Sequence, residues 1–320
     1  MNTTEERSWR AIASLKGIGP KTLWSIADYL EREKKTASWL IQNPDSLKIL
    51  VGGRFNNLGQ ITETNVSPNF DEDVKVLYPL HSHFPKRVKS LQANLPLPAI
   101  LYAKGNTTLA NVASVAIEGA RQADSNAIEI AEKIATQLVG NKINIVSGYA
   151  KGIDTTAHLA ALKSKGTTTI VLSEGINRYR PKQDFMPLVT LENTLVVSQF
   201  EPESQWASHY AMTRNKLIAA LSNAVVVIVS GPERDAEGRM SGTFDAAMSA
   251  TRMGVPTFVV SPSVLQGQGD GNRELIKKGC TEWIPSQGIN EILKAINTDS
   301  SATPKKKSPI PDLFQKSGDA

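Results

Sequence analysis

Between residues 113 and 260 the chain alternates short, nearly continuous Val/Ile-rich runs, at 114–118, 143–147, 169–172, 195–198, 225–229 and 257–260, with helical apolar spacing in most of the gaps. Runs without polar alternation belong to strands covered on both faces. Strands joined through helices pair in parallel, because a crossover needs the length of a helix. The expected fold class is therefore α/β, a doubly wound, mostly parallel sheet that takes its ligands at the carboxyl ends of the strands.

One of these units carries a phosphate-binding shape. In INIVSGYAKGIDTTAHLAAL, residues 143–162, a buried strand meets a helix through a turn bounded by Gly148 and Gly152. Glycines let the backbone turn sharply and approach a ligand, while the free N–H groups of the helix start face the same place. Lys151 adds a positive charge, and Asp154 reads as the N-cap of that helix. Ser147 closes the strand beside the turn. An ordinary strand-to-helix connection would show the same glycines, so the turn alone does not decide function.

If the sheet is doubly wound, the remaining strand-to-helix loops face the same crevice. They supply Gly119 and Arg121 in EGARQAD, then Ser173-Glu174-Gly175 with Arg178, Arg180 and Lys182, then Gln199, Glu201 and Thr213-Arg214-Asn215-Lys216, then Arg239 and Ser241-Gly242-Thr243. Glycines, hydroxyls and several Arg or Lys on one edge suit the phosphates of an extended polyanion better than one small ligand. Arg121 and Arg214 can each hold a phosphate through two hydrogen bonds, with Lys151 and Lys216 as point charges. Tyr149 and Tyr179 are the aromatic candidates for stacking on bases, or else packing residues.

Other chemistry finds less support. Of the 320 residues, 40% are hydrophobic and 21% charged, which is ordinary for a globular protein. No apolar run approaches the roughly 18 residues of a membrane span, and the first ten residues lack the apolar segment of a signal peptide, so a cytoplasmic location is expected. A single cysteine, Cys280, excludes an intramolecular disulfide and a cysteine-cluster metal site. His81 and His83 lack a third ligand, and neither a metal nor a cofactor is expected. His158 and Asp154, four residues apart, read as an i,i+4 pair rather than a base with its orienting acid. A net charge of +5 favours an anionic partner.

The flanks read as smaller units. Residues 5–33 form two helices joined by LKGIGPK, in which Pro20 opens the second helix. LKGIGPKT resembles a helix-hairpin-helix, a module that meets DNA backbone through hairpin amides. Here Gly17, Gly19 and Lys21 would be the secondary contact, unless the hairpin only packs. The expected division is a small helical (helix-hairpin-helix or SAM-like) domain and linker at 1–73, the main domain at 74–298, and a Ser/Pro/Lys-rich disordered tail at 299–320.

Taken together these segments resemble the DNA-processing protein A family, also called DprA or Smf. The resemblance rests on YPLHSHFPKRVKSLQANLPLPAILYAKGN, VAIEGARQAD, IVSGYAKGIDTTAHLAAL, TRNKLIAALSNAVVVI and SGTFDAAMSATRMGVPTFVV, in that order, and covers about 78–296. It implies a non-catalytic protein with an extended Rossmann fold that binds single-stranded DNA, dimerises, and in many bacteria loads the recombinase RecA during natural transformation. Its contact positions fall on Gly119, Arg121, Lys151, Arg214, Asn215 and Lys216, beside the turn residues Ser147, Gly148, Gly152 and Asp154.

Several positions depart from the family pattern. Ala120 stands where the motif has serine, and Asp124 replaces a second serine, which sets a negative charge near the expected phosphate path. The C-terminal winged helix of many members has no counterpart in the tail. A divergent member serving phage defence or toxin regulation fits the same residues. Two further readings compete. In nucleotide-hydrolysing enzymes resembling lysine decarboxylase homologues, a glutamate would fall at Ala246, which leaves Asp245 as the one substitute acid. Pro311-Asp312-Leu313-Phe314, after Lys305, Lys306 and Lys307, resembles the end of a sliding-clamp docking motif without its leading glutamine.

Overall fold

The computed structural model describes residues 4–51, 73–92 and 95–299. The linker sequence GGRFNNLG, the lysine run and the clamp-like motif lie outside the described residues. Two helices open the chain, α1 (Thr4–Ala13) and α2 (Pro20–Glu33). Gly17 between them has φ +91°, a backbone conformation that favours glycine, and Gly19 is the N-cap of α2 with Pro20 at its first turn. Two short helices follow, α3 (Ala37–Gln42) and α4 (Pro44–Val51). The sequence had shown only weak periodicity there.

These helices share one core with the sheet. Trp9 stacks on Tyr78 at 5.6 Å between ring centroids, and Trp24 donates its indole N–H to the Leu97 carbonyl at 2.9 Å. Trp9 and Ile26 are fully buried in that cluster. At about 25 cal/mol per Å² of apolar surface removed from water, burial of such large side chains is the main force holding the helical unit in place.

The other described residues build one nine-stranded sheet and the helices that cover it. Its elements in order are β1 (Lys75–Leu77), α5 (Lys86–Leu91), β2 (Leu101–Gly105), β3 (Ser114–Glu118), α6 (Ser125–Gly140), β4 (Asn144–Ser147), α7 (Ile153–Lys163) and β5 (Thr168–Val171). Then come β6 (Thr194–Ser198), α8 (Ser208–Leu221), β7 (Ala224–Val227), α9 (Gly242–Arg252), β8 (Thr257–Val260), α10 (Asp270–Lys277), β9 (Thr281–Trp283) and α11 (Asn290–Asp299). Spatial order is β1-β2-β6-β5-β4-β3-β7-β8-β9. From β6 through β9 every pairing is parallel, while β2 runs antiparallel to both β1 and β6.

The six expected strands are present, two with the same bounds and four shifted at one or both ends. The antiparallel pair β1–β2 and the edge strand β9 were not anticipated. LYAKG had read only as an extended entry, since nothing local in it announces a partner as distant in sequence as β6.

Two apolar clusters cover the two faces. Ala116, Val146, Val225 and Val227 face α8 and α9, while Val115, Ile117, Ile145 and Val226 face α6, α7 and α11. Both faces being dry explains why these strands read as unbroken apolar runs. The chain leaves β3 for β4, β5 and β6 on one side and crosses back to β7 on the other. The crevice at the carboxyl ends of β3 and β7 is thus the switch point of the sheet.

Candidate nucleic-acid interface

A cleft of about 480 Å³ opens at this edge, lined by Arg121 and Gln122 after β3, Tyr149, Ala150 and Lys151 after β4, Leu172, Ser173 and Glu174 after β5, and Trp206 and Arg214 from the segment after β6. Four strand-to-helix connections converge on it. Arg121 and Lys151 are exposed, whereas Arg214 is only 6% exposed and reaches the cleft from the interior of α8.

The turn between β4 and α7 is shaped by glycines for steric reasons. A Cβ on Gly148 would overlap Arg214 Nη1 and Asp154 Oδ2. Gly152 has φ +80°, and a Cβ there would lie 2.5 Å from the Ala120 carbonyl oxygen. A Cβ on Gly119 would overlap Ile153. These three glycines let the first two loops and α7 close on one another.

Beneath the turn lies a buried polar layer. His158 is fully buried, with Nε2 at 2.5 Å from the Gly148 carbonyl oxygen and Nδ1 at 2.6 Å from Thr168 Oγ1. A carbonyl can only accept, so Nε2 carries the proton. Burial lowers the His158 pKa to about 4, which keeps the ring neutral, with Nδ1 against the Thr168 hydroxyl that also donates to the Ile145 carbonyl. His158 thus holds the turn, and the expected His158–Asp154 pair is not formed.

Asp154 also departs from expectation. The N-cap of α7 is Gly152, and Asp154 is the second residue of the helix, turned inward and 3% exposed. Its Oδ2 accepts a long hydrogen bond, 3.4 Å, from the Ala150 amide. Burial raises its pKa, while Arg214 opposes the shift. Ser147 is fully buried as well; its hydroxyl donates to the Ile117 carbonyl at 2.7 Å and also acts on Asp154, favouring that acid's ionised form.

Several cations counted toward the crevice hold protein instead. Arg178 donates to the Glu203 carbonyl, and Arg180 to those of Asn177 and Tyr179. Lys182 donates to the Tyr149 carbonyl at 3.0 Å and Thr155 Oγ1 at 2.8 Å, with its ammonium 4.2 Å from the centroid of the Tyr149 ring. Arg239 pairs with Asp235 and Glu237. Arg121, Lys151 and Arg214 are the cations left on the cleft wall.

Asn215, Lys216, Ser241, Gly242 and Thr243 form a neighbouring group. Asn215 donates to the Gly242 carbonyl at 3.0 Å, and Ser241 caps α9 by accepting from the Phe244 amide. None of the five lines the cleft. Asp124, which had read as an unwanted negative charge on the phosphate path, is the N-cap of α6 and accepts from the Ala127 amide at 2.8 Å, so its charge meets the positive end of that helix. Gly17 and Lys21 are exposed on the N-terminal hairpin. His83 bonds Thr107 and His81 accepts from the His83 amide, so each ring has a protein partner.

Trp206 was not anticipated. It is 52% exposed on the cleft wall, the sort of aromatic face on which a base stacks. A lone tryptophan in the polar run SQWAS was the available signal. Tyr149, by contrast, receives the Lys182 amide on its hydroxyl and packs edge-on against Phe185, so its ring serves the turn.

The profile of the family DNA recombination-mediator protein A matches residues 75–297. The chain belongs to that family. DNA processing protein DprA of Streptococcus pneumoniae is 35% identical to this family member over 198 residues, which are 60% of this chain and 66% of that protein. Protein Smf of Synechocystis is 28% identical over 316 residues, 92% of this chain and 74% of its own. The X-ray structure of the S. pneumoniae DprA superposes with a TM-score of 0.71 at 25% identity, covering 90% of this chain and 98% of that one. DNA processing protein A from Helicobacter pylori, whose structure concerns its single-stranded DNA binding mode, superposes with a TM-score of 0.54 at 27% identity, covering 70% and 94%. No helix among the described residues is long and apolar enough to cross a membrane.

Proposed function

We propose that this DprA-family protein binds single-stranded DNA in the cleft at the carboxyl ends of β3 and β4, acting in DNA recombination without a catalytic step of its own. The observation that carries the reading is the convergence of Arg121, Lys151 and Arg214 on one cleft with an exposed indole, Trp206, on its wall. Cations follow the phosphates and the indole takes a base. Neither contact selects a sequence strongly. The H. pylori relative, described for its single-stranded DNA binding mode, supports this assignment. A homodimer that delivers the strand to a RecA-type recombinase in the cytoplasm, as in natural transformation, is the role this chemistry fits; phage defence or toxin regulation would use the same cleft.

The test is fluorescence anisotropy of a labelled single-stranded oligonucleotide, with duplex and mononucleotides as competitors, across a salt series. Arg121→Ala with Lys151→Ala removes two exposed cations and leaves the core untouched. Loss of two phosphate contacts lowers the log–log salt slope by about 1.4 for a single strand. An unchanged slope, or absence of binding at low salt, would remove the cleft from consideration.

A second reading rests on Asp245. Burial raises its pKa against the opposing pull of Arg252 and Lys216, and Arg252 Nη2 lies 3.9 Å from it. A half-buried acid beside Asn215 and a helix start is a candidate for nucleotide hydrolysis. Mononucleotide turnover lost in Asp245→Ala would establish this activity, and no turnover would dismiss it.

A further inference from the structure

The floor of the cleft holds one acid more than its cation can balance. Glu118 ends β3, 5% exposed, and Asp154 and Arg214 are its charged neighbours, from α7 and α8. Residues 118, 154 and 214 are far apart in sequence and meet only where the sheet changes winding direction. Two carboxyls face a single guanidinium away from water.

Their hydrogen bonding is incomplete. Glu118 Oε1, Arg214 Nε and Arg214 Nη1 have no hydrogen-bond partner among the described residues. Arg214 lines the cleft, while its Nε and Nη1 are buried donors left without an acceptor. A buried carboxyl without a donor is costly when ionised and far less so when protonated. If both acids were ionised, two buried carboxylates would share one guanidinium under the phosphate site, with Lys182 as the further cation beside Asp154.

We propose that Glu118 holds a proton in the DNA-binding state, so that phosphate binding at Arg214 is coupled to proton uptake by this side chain. The inference rests on the reading of the cleft as a single-stranded DNA site and adds a control to it. With Glu118 neutral, Arg214 is opposed by Asp154 alone and keeps its positive charge for a phosphate in the cleft. With Glu118 ionised, the guanidinium is drawn inward and an incoming phosphate meets surplus negative charge. A bound phosphate in turn disfavours the ionised acid, so DNA and proton bind cooperatively.

The electrostatics point the same way. Burial, with Asp154 adding to it and Arg214 opposing it, pushes the Glu118 pKa up to about 8. Around Asp154, Lys182 adds positive charge and has its own pKa lowered by burial and by Lys151, while His158 is neutral. Opposite Glu118 on the other neighbouring strand stands Val227, which does not titrate. Lys182 is therefore the competing source of an alkaline transition, and the test must separate it.

The experiment measures single-strand affinity by anisotropy from pH 6 to 9.5 at constant ionic strength for the wild type, Glu118→Gln, Glu118→Leu and Lys182→Arg. One coupled proton weakens binding by up to about tenfold per pH unit above pH 8. Glutamine has the shape of the protonated acid, so Glu118→Gln is expected to bind as the wild type does at pH 6.5 and to keep that affinity at pH 9. Glu118→Leu should be equally flat, and Lys182→Arg should retain the wild-type slope. A slope that survives in Glu118→Gln or disappears in Lys182→Arg overturns the coupling while leaving the DNA site in place. No binding at any pH overturns the DNA reading and the coupling together.

Discussion

The His158 imidazole holds the Gly148 carbonyl at 2.5 Å, fastening the end of β4 to the helix ten residues further on. The ring is fully buried and neutral, with its pKa lowered from 6.5 to about 4 by loss of water. The unfolded chain takes up a proton there before the folded one does. This contribution to stability is whole above pH 6.5 and is lost as the pH falls toward 4, amounting to about 3 kcal/mol. Urea unfolding at pH 7.5 and 4.5 should show that loss, and His158→Gln should remove its share of the pH dependence.

Glu118 acts with the opposite sign. Its folded pKa is raised far above that of a solvated glutamate, to about 8, so the folded state keeps a proton that the unfolded chain releases. Stability from this group is greatest below pH 4.5 and declines up to about pH 8. Glu118→Gln is accordingly expected to raise stability at pH 7.5 and to leave it nearly unchanged at pH 4.5. Thermal unfolding without DNA at the two pH values measures both.

Gly148 has no room for a side chain. Its Cβ would take the place of Arg214 Nη1 and crowd Asp154. Gly148→Ala is expected to displace the guanidinium, costing about 1–3 kcal/mol of stability and most of the single-strand affinity. Anisotropy at a temperature where the variant is folded separates the two effects. Affinity retained in the folded variant would exclude Arg214 from the interface.

Trp206 and Arg121 should fail differently. Trp206→Ala removes a stacking face worth about 1–3 kcal/mol per base and leaves the salt slope unchanged. Arg121→Ala removes one phosphate contact and lowers the slope by about 0.7. A salt series on the two variants distinguishes them.

Pro20 at the start of α2, the glycine-bounded turn after β4, and the largely apolar, fully buried strands β3 and β8 were legible in the sequence, because each depends on backbone sterics or on periodicity within a few residues. Side-chain roles at the carboxyl edge were legible only in part. Arg121, Lys151 and Arg214 do line one cleft, but Ser147 and Asp154 turn inward, and Arg178, Arg180 and Lys182 bind loop carbonyls. Charge in a loop is visible in sequence; the carbonyl that claims it is not.

Local sequence was enough to specify that β and α elements alternate, that the sheet is mostly parallel and buried on both faces, and where the backbone must turn without a side chain. Tertiary structure alone decided that β2 pairs antiparallel with β6, that Trp206 stands on the cleft wall, and that Glu118, Asp154 and Arg214 share one dry floor. The first set follows from interactions between near neighbours along the chain. The second depends on which distant residues meet and exclude water, and ionisation and hydrogen bonding follow from that meeting.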